Sequence, residues 1–504
     1  MDLAIPSAEV VIVDGGRIAA VGPRELLTGY PHAERRNLAG ALLAPGFIDA
    51  HNHLSVAALH PRWADLTGVT DSEGVRTALR AHAVAEPDAT WLRACNWNDL
   101  HPGFELTGRD LDALDLGRPI VVASFSLHRA VVCSRGLDVL GIGRDTADPT
   151  GGTIVRGPDG QPTGDLHERA WSKAHALSMV AYADPERWAE HIADRARVLW
   201  RDGITAVHDA ACSPAAEAVY RALASQRALP ISVLVMPHGD ALLRNDGART
   251  DGPVTGDGDE WVRVGAVKLF ADGGIAPAID VHFGDLHLEL GARYLDASEN
   301  ALVAAARGFA VGIHAMGNVG VADALEALRS VRRAHDDDRR HRLEHIGIAS
   351  TAQLREVAAL GLIGVVQPGF VGHVGRSAAG FEPDDASWLP FAAARDAGIP
   401  LAGSSDDPCS PVAPLTTSAL GVTRRADDGS IFGADQTLPY EEWLRAYTIG
   451  AAYAGGQEHE RGSITAGKRA DLVVLRGELD ATDPPVVEQT WVAGERVFAG
   501  DGPG

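Results

Sequence analysis

The sequence predicts an α/β fold. The expected architecture is a TIM-like (β/α)8 barrel with a small β-sandwich domain built from both termini and an inserted α/β subdomain. Three observations predict it. Eight short apolar runs recur through the middle of the chain, with helix-type segments between them. The two ends share a β-rich character, punctuated by Gly and Asp turns. One interval between runs is far too long for a single helix and its loops.

The ends come first. VVIVDGGRIAAVG (10–22) and RRNLAGALLAPG (35–46) resemble in character GSITAGKRADLVVLRG (462–477) and VVEQTWVAGERVFAG (486–500). Similar ends flanking a long middle are expected to pair into one domain, residues 1–45 plus 455–504, with the termini close together. The eight runs are 46–51, 203–209, 231–236, 264–270, 310–315, 342–346, 363–368 and 400–406. They place the barrel at 46–64 plus 196–454.

The segments between the runs have helical signals. Val321, Ala324, Leu325, Leu328 and Val331 repeat with helical period. Ser350 and Gln353 form a capping box ahead of Leu354, Val357 and Leu360, and Gly361 stops that helix. A further helix, about 388–397, ends at Gly398. Roughly 150 residues separate the first two runs, so a subdomain is expected at 65–195, with mixed α/β content and a role as a lid.

Composition narrows the function. The 504 residues are 45% hydrophobic and 22% charged, as in an ordinary globular chain. A net charge of -23 argues against nucleic acid, which needs a basic face. No run approaches the roughly 18 apolar residues of a membrane span, and the first residues lack a signal-peptide pattern. Cys95, Cys133, Cys212 and Cys409 are far apart, which argues against a disulfide framework or a cysteine zinc site. A cytoplasmic location is expected.

PGFIDAHNHL (45–54) ends an apolar strand on His51 and His53. Residues i and i+2 of a strand point the same way, so the two imidazoles converge on half a metal site. Surface histidines at a loop start would look identical. The other strand ends decide between these readings. The fourth run carries Lys268, the fifth ends near His314, the sixth near His345 and the eighth at Asp406. Functional residues of such barrels sit at the C-terminal strand ends. Taken singly, His314 and His345 read as core histidines, with Glu344 a structural partner on the other face. Asp406 and Asp407 read as turn residues before Pro408. Recurrence at matching ends shifts them toward ligands. Lys268 lies between Val267 and Leu269, where a bare ammonium costs several kcal/mol unless paired. It either snorkels to the surface or reacts with CO2 to give a carbamate, an anionic oxygen ligand able to bridge two metals.

With these motifs DGQPTGDLHERA, GITAVHDA, VKLFADG, HAMG, RLEHIG, GSSDDP and GSITAGKRADLVVL occur in order. Over nearly its whole length the chain resembles the amidohydrolase superfamily, in the branch called amidohydrolase family 3 or YtcJ-like. The resemblance implies a metal-dependent hydrolase of carbon–nitrogen bonds. It places His51, His53, His314, His345 and Asp406 on metal positions and Lys268 on the strand-four ligand position. Two divalent metals, zinc foremost, are expected, with carboxylated Lys268 between them. The metals would bring a water to a pKa near ~7, and its hydroxide would attack the substrate carbonyl. Asp406 would act as general base and then acid. Glu168, Trp97 and His128 match positions of the insertion expected to reach the substrate, and Asp99 follows Trp97 in a loosely matching motif. Three positions depart from the usual pattern: Asn318 stands for an acid, Gly274 for a serine, and Ser126-Leu127 for Asp-Gly. A small-molecule amide or N-acyl amine is the expected substrate. A homo-oligomer is a common state for such barrels. The alternatives are hydrolytic deamination of a heterocycle, a decarboxylase, and a catalytically silent scaffold of the same fold.

Overall fold

The computed structural model describes residues 8–99, 103–238, 252–274, 276–335, 338–378 and 382–500. At its centre are two parallel sheets. One has four strands in the order Val262–Val264, Ser232–Pro237, Ile204–Cys212 and Phe47–Asn52. The other has five: Val267–Phe270, Val311–Ala315, Arg342–His345, Ile363–Val366 and Leu401–Gly403. Nearly every strand residue is buried on both faces, which is why these runs are continuously apolar rather than alternating.

The two sheets approach each other at both seams. His238 bridges Lys268 in parallel at one. At the other, Asp406 N donates to His51 O at 2.8 Å and His53 N to Asp407 O at 2.9 Å. The run expected as one strand at 264–270 is split. At Gly265 and Ala266 the chain changes partner: Gly265 N donates to Val235 O and Val267 N to Ala310 O. A side chain at Gly265 would meet Leu234 at 2.8 Å, so the switch requires glycine or displacement of that leucine.

Helices clothe the strands. Asn318–Ala334 buries Val321, Ala324, Leu325, Leu328 and Val331, the periodic face read from sequence. Each buried Leu or Val is worth about 1.5–3 kcal/mol against exposure. Thr351–Ala359 has its capping box on Ser350 and Gln353. Among the described residues no helix is long and apolar enough to cross a membrane.

Between the first two parallel strands the chain builds a six-stranded mixed sheet. Its order is Ala64–Asp65, Leu92–Trp97, Ile120–Ser124, Arg129–Val132, Pro162–Glu168 and Gly152–Arg156. The helix Pro185–Arg201, expected to begin inside this insertion, packs elsewhere. Its Trp188, Ile192, Ala196 and Leu199 share a core with Phe47, Ile204 and Val207 of the parallel strands. The ends of the chain do pair: Leu42–Pro45 lies antiparallel to Leu472–Arg476, which continues to Val486–Val492 and Glu495–Ala499. The hairpin Val10–Asp14 and Arg17–Gly22 joins them through a bridge from Arg17 to Arg469. A second hairpin, Ile279–Phe283 with Leu286–Leu290, was not foreseen.

The last parallel strand is braced from behind by the helical stretch from Tyr440 to Ala454. Tyr447 Oη donates to Ser404 O at 2.8 Å. A Cβ on Gly450 would stand 2.3 Å from the carbonyl oxygen of Leu401, so helix and strand touch backbone to backbone. Gly450→Ala should therefore destabilise the protein by about 1–3 kcal/mol, read as a lowered melting temperature. An unchanged melting temperature would contradict this contact.

Candidate metal centre

The strand ends bring five histidine and carboxylate side chains together. His51 ends the strand Phe47–Asn52 and is fully buried. Its Nδ1 faces Glu344 Oε2 at 2.7 Å. His53 Nδ1 faces the Ala210 carbonyl at 2.9 Å. His345 Nδ1 faces Gln367 Oε1 at 2.9 Å, and Gln367 donates its amide to Ser404 Oγ. In all three the acceptor on the Nδ1 side makes that nitrogen the N–H donor. The Nε2 lone pair is left for something else.

Two of those nitrogens converge on one carboxylate. His53 Nε2 lies 3.0 Å and His51 Nε2 3.4 Å from Asp406 Oδ1, and one ligand atom from each of the three residues lies within 4.8 Å of the others. Two acceptors facing a carboxylate oxygen at such distances repel unless a cation lies between them. The His345 ring lies 4.8 Å from that of His51, tilted against it, and 4.5 Å from that of His314, edge to face, centroid to centroid. His314 Nε2 is buried without a hydrogen-bond partner, its nearest carboxylate oxygen being Asp272 Oδ1 at 3.8 Å. Lys268 Nζ sits 3.1 Å from His51 Nε2. The donor set fits a divalent metal.

Protonation states fit as well. Burial, helped by the Lys268 charge, lowers His51 to about 4. Burial takes His314 and His345 well below the ordinary imidazole value. All three are neutral at neutral pH, the form that binds metal. Burial works to raise Asp406, but its contact with His53 holds the carboxyl below the usual range, and it stays ionised. Burial lowers Lys268 to about 8.

The backbone is strained where it turns these groups inward. His345, Ile346 and Asp406 have φ of 76°, 52° and 62°. A non-glycine residue there costs on the order of 1–2 kcal/mol, and such strain persists only where surroundings over-determine it. Asp49 is one such constraint. It accepts from Ser405 N at 2.9 Å, Ser405 Oγ and Asn52 Nδ2, tying the first strand to the loop that carries Asp406.

The insertion closes one side. Its loop between Ile120–Ser124 and Arg129–Val132 presents Phe125, Ser126 and His128 to a cavity shared with His314, His345 and Asp406. The His128 ring lies 5.3 Å from that of His314. Glu168 stands behind it, accepting from His128 Nδ1 at 2.6 Å and from Tyr294 Oη at 3.2 Å. Burial would lower His128, but the Glu168 carboxylate overrides it and raises the imidazole. Trp97, expected to face the substrate, does not line this cavity. It is 1% exposed in the core of the insertion, with the Arg129 guanidinium 5.0 Å from its ring. Asp99 lines the wall, but its carboxylate is buried, 3.8 Å from Arg129.

A profile of the amidohydrolase family matches residues 34–498. The chain belongs to the amidohydrolase family. It is 33% identical to an N-substituted formamide deformylase of Arthrobacter pascens, covering 93% of this chain and 90% of that protein. It is 28% identical to a Bacillus subtilis (strain 168) protein named as amidohydrolase YtcJ, covering 97% and 96%. A solved structure of an uncharacterized metal-dependent hydrolase from Pyrococcus horikoshii OT3 shares the fold, with TM-score 0.73, 20% identity and 93% of each chain covered. The chain is thus an α/β, TIM-like hydrolase acting on non-peptide carbon–nitrogen bonds, with a His-His-Asp group able to hold a metal.

The three departures from the family pattern have local causes. Asn318 Nδ2 donates to Asp280 O while its Oδ1 accepts from Asp280 N, a pairing that a carboxylate could not complete. A Cβ on Gly274 would stand 2.3 Å from His128 Nε2, so glycine admits the ring. Leu127 holds φ at 60°, the region where glycine is the usual residue.

Sequence reasoning missed Glu344 as a partner of the site. Arg342 grips it with Nε to Oε1 at 2.7 Å and Nη2 to Oε2 at 2.9 Å, and holds it well below the usual carboxylate range against the pull of burial. Two charges two residues apart in an apolar strand were the available signal. Glu344→Gln should weaken metal binding 10–100-fold, measured as the metal dissociation constant, since partners of this kind set ligand orientation. Unchanged affinity would remove Glu344 from that role.

Proposed function

We propose that the protein hydrolyses the C–N bond of an N-substituted carboxamide, with a formamide as the leading substrate class. The observation that carries this reading is the convergence of His51, His53 and Asp406 beside His314, His345 and Lys268. The likeness to an N-substituted formamide deformylase supports the substrate class. The two parallel sheets are read as one closed barrel, joined at the two seams described above. The paired strands from the chain ends are read as a β-sandwich beside it.

His51, His53 and Asp406 would hold one divalent ion, and His314 and His345 a second, zinc being the metal that this donor set suits. When bound, such ions acidify water and polarise a carbonyl. Lys268, as a carbamate, would supply the anionic oxygens between them. The amine attacks CO2, forms an N–C bond and releases a proton. Only neutral amine reacts, and burial enlarges that fraction near neutral pH.

The remaining steps belong to side chains. Asp406, ionised and in the cavity wall, takes a proton from the attacking water and returns it to the departing nitrogen. His128, held by Glu168, is placed to donate a hydrogen bond to the substrate's oxygen.

Asp406→Asn should lower kcat about 10²–10⁴-fold even when added metal restores full occupancy of the site. Full turnover in that variant would remove the proton role. Chelation should abolish formate release and added zinc restore it, whereas ammonia release from a heterocycle would favour deamination. With 13C-bicarbonate, the carbamate resonance of Lys268 should grow as pH rises through about 8 and vanish in Lys268→Ala. No resonance in metal-loaded protein would leave the lysine unmodified.

A further inference from the structure

One wall of the cavity has no part in the chemistry just described. From His345 a run of rings leads away from the metal centre and into the insertion. Phe370 stacks 5.9 Å from His345 at 11°, His373 meets Phe370 at 5.1 Å and 66°, and Phe125 meets His373 at 5.9 Å and 81°. Met316, Val374 and Trp388 line the same cavity. Burial keeps His373 below its ordinary value, so this ring is neutral at neutral pH. The cavity measures about 220 Å3, more than a formyl group fills. Flat apolar surfaces aligned this way favour another ring, by offset or edge-on packing.

We propose that this wall is a subsite for a neutral, ring-bearing substituent on the nitrogen of the scissile amide. The proposal rests on the amide-hydrolase reading, because a formyl carbon leaves only the nitrogen to carry a large group. A carboxylate or ammonium on that substituent would be desolvated against Phe370, Val374 and Trp388 without a partner on the wall. Asp99, which also lines the cavity, has its carboxylate buried 3.8 Å from Arg129.

The test uses the full chain loaded with zinc. kcat/KM is measured for N-(2-phenylethyl)formamide, N-ethylformamide, N-(2-aminoethyl)formamide and N-formylglycine. The phenyl compound should exceed each of the others tenfold or more. Trp388→Ala and Phe125→Ala should cut the phenyl-to-ethyl ratio at least about fivefold, with Trp388→Phe recovering most of it. Metal content, measured in each variant, separates loss of the wall from loss of the centre. Equal rates for phenyl and ethyl compounds, or preference for a charged one, would overturn the subsite. If no formamide is cleaved, calorimetry with 2-phenylethanol and ethanol decides. Binding of the ring compound alone, lost in Trp388→Ala, would keep the subsite and reject the formamide reading. Binding of neither would reject the subsite.

Discussion

A guanidinium without water sits at the heart of this protein. Arg342 is 1% exposed, and its charge is answered by Glu344 in the same strand. Burying either partner alone would be severely unfavourable, so the two must be placed together. Their geometry reaches further. Arg342 also donates to the carbonyl of Ala50 and to His208, linking the sixth of the parallel runs to the first and second. Glu344 spends its remaining oxygen capacity on His51. The direction of the first candidate metal ligand is therefore fixed by an ion pair that never meets solvent.

Around that pair the site is assembled by two kinds of restraint. Uncharged acceptors (the Ala210 carbonyl and the Gln367 amide) aim His53 and His345. Carboxylates used as clamps hold backbone in place. Asp49 does this between the first and last strands, and Asp272 accepts from the N–H groups of Met316, Gly317 and Ala278. These clamps allow His345 and Asp406 to keep unfavourable dihedrals. The insertion answers with its own strained residues, Leu127 and Glu168, at the two positions that flank and support His128.

Much of this was legible from residue order. Period-3.6 helices such as Asn318–Ala334 and buried parallel strands declare themselves through apolar spacing, because burial is what drives both. The pairing of the chain ends followed from shared character. His51, His53, His314, His345, Lys268 and Asp406 could be singled out because polar residues rarely recur at the ends of apolar runs. What stayed hidden depends on three-dimensional partners. The break at Gly265 reflects a change of neighbouring strand. Trp97 looked like a substrate contact, yet Arg129 and the core of the insertion enclose it. Glu344 looked like a bystander because nothing in the sequence says that His51 lies opposite. The hairpin Ile279–Leu290 has an alternating pattern, but its exposed Leu286 and Leu290 weaken the signal of burial.

The pairing of Leu42–Pro45 with Leu472–Arg476 has a consequence for how the protein is made. The first of these strands leaves the ribosome hundreds of residues before its partner. At ordinary elongation rates it waits on the order of tens of seconds with an open edge. Phe47–Asn52 follows it after one residue, so His51 is not anchored from its N-terminal side until that distant partner has been made. A site that includes His51 therefore cannot be finished before Leu472–Arg476 is made.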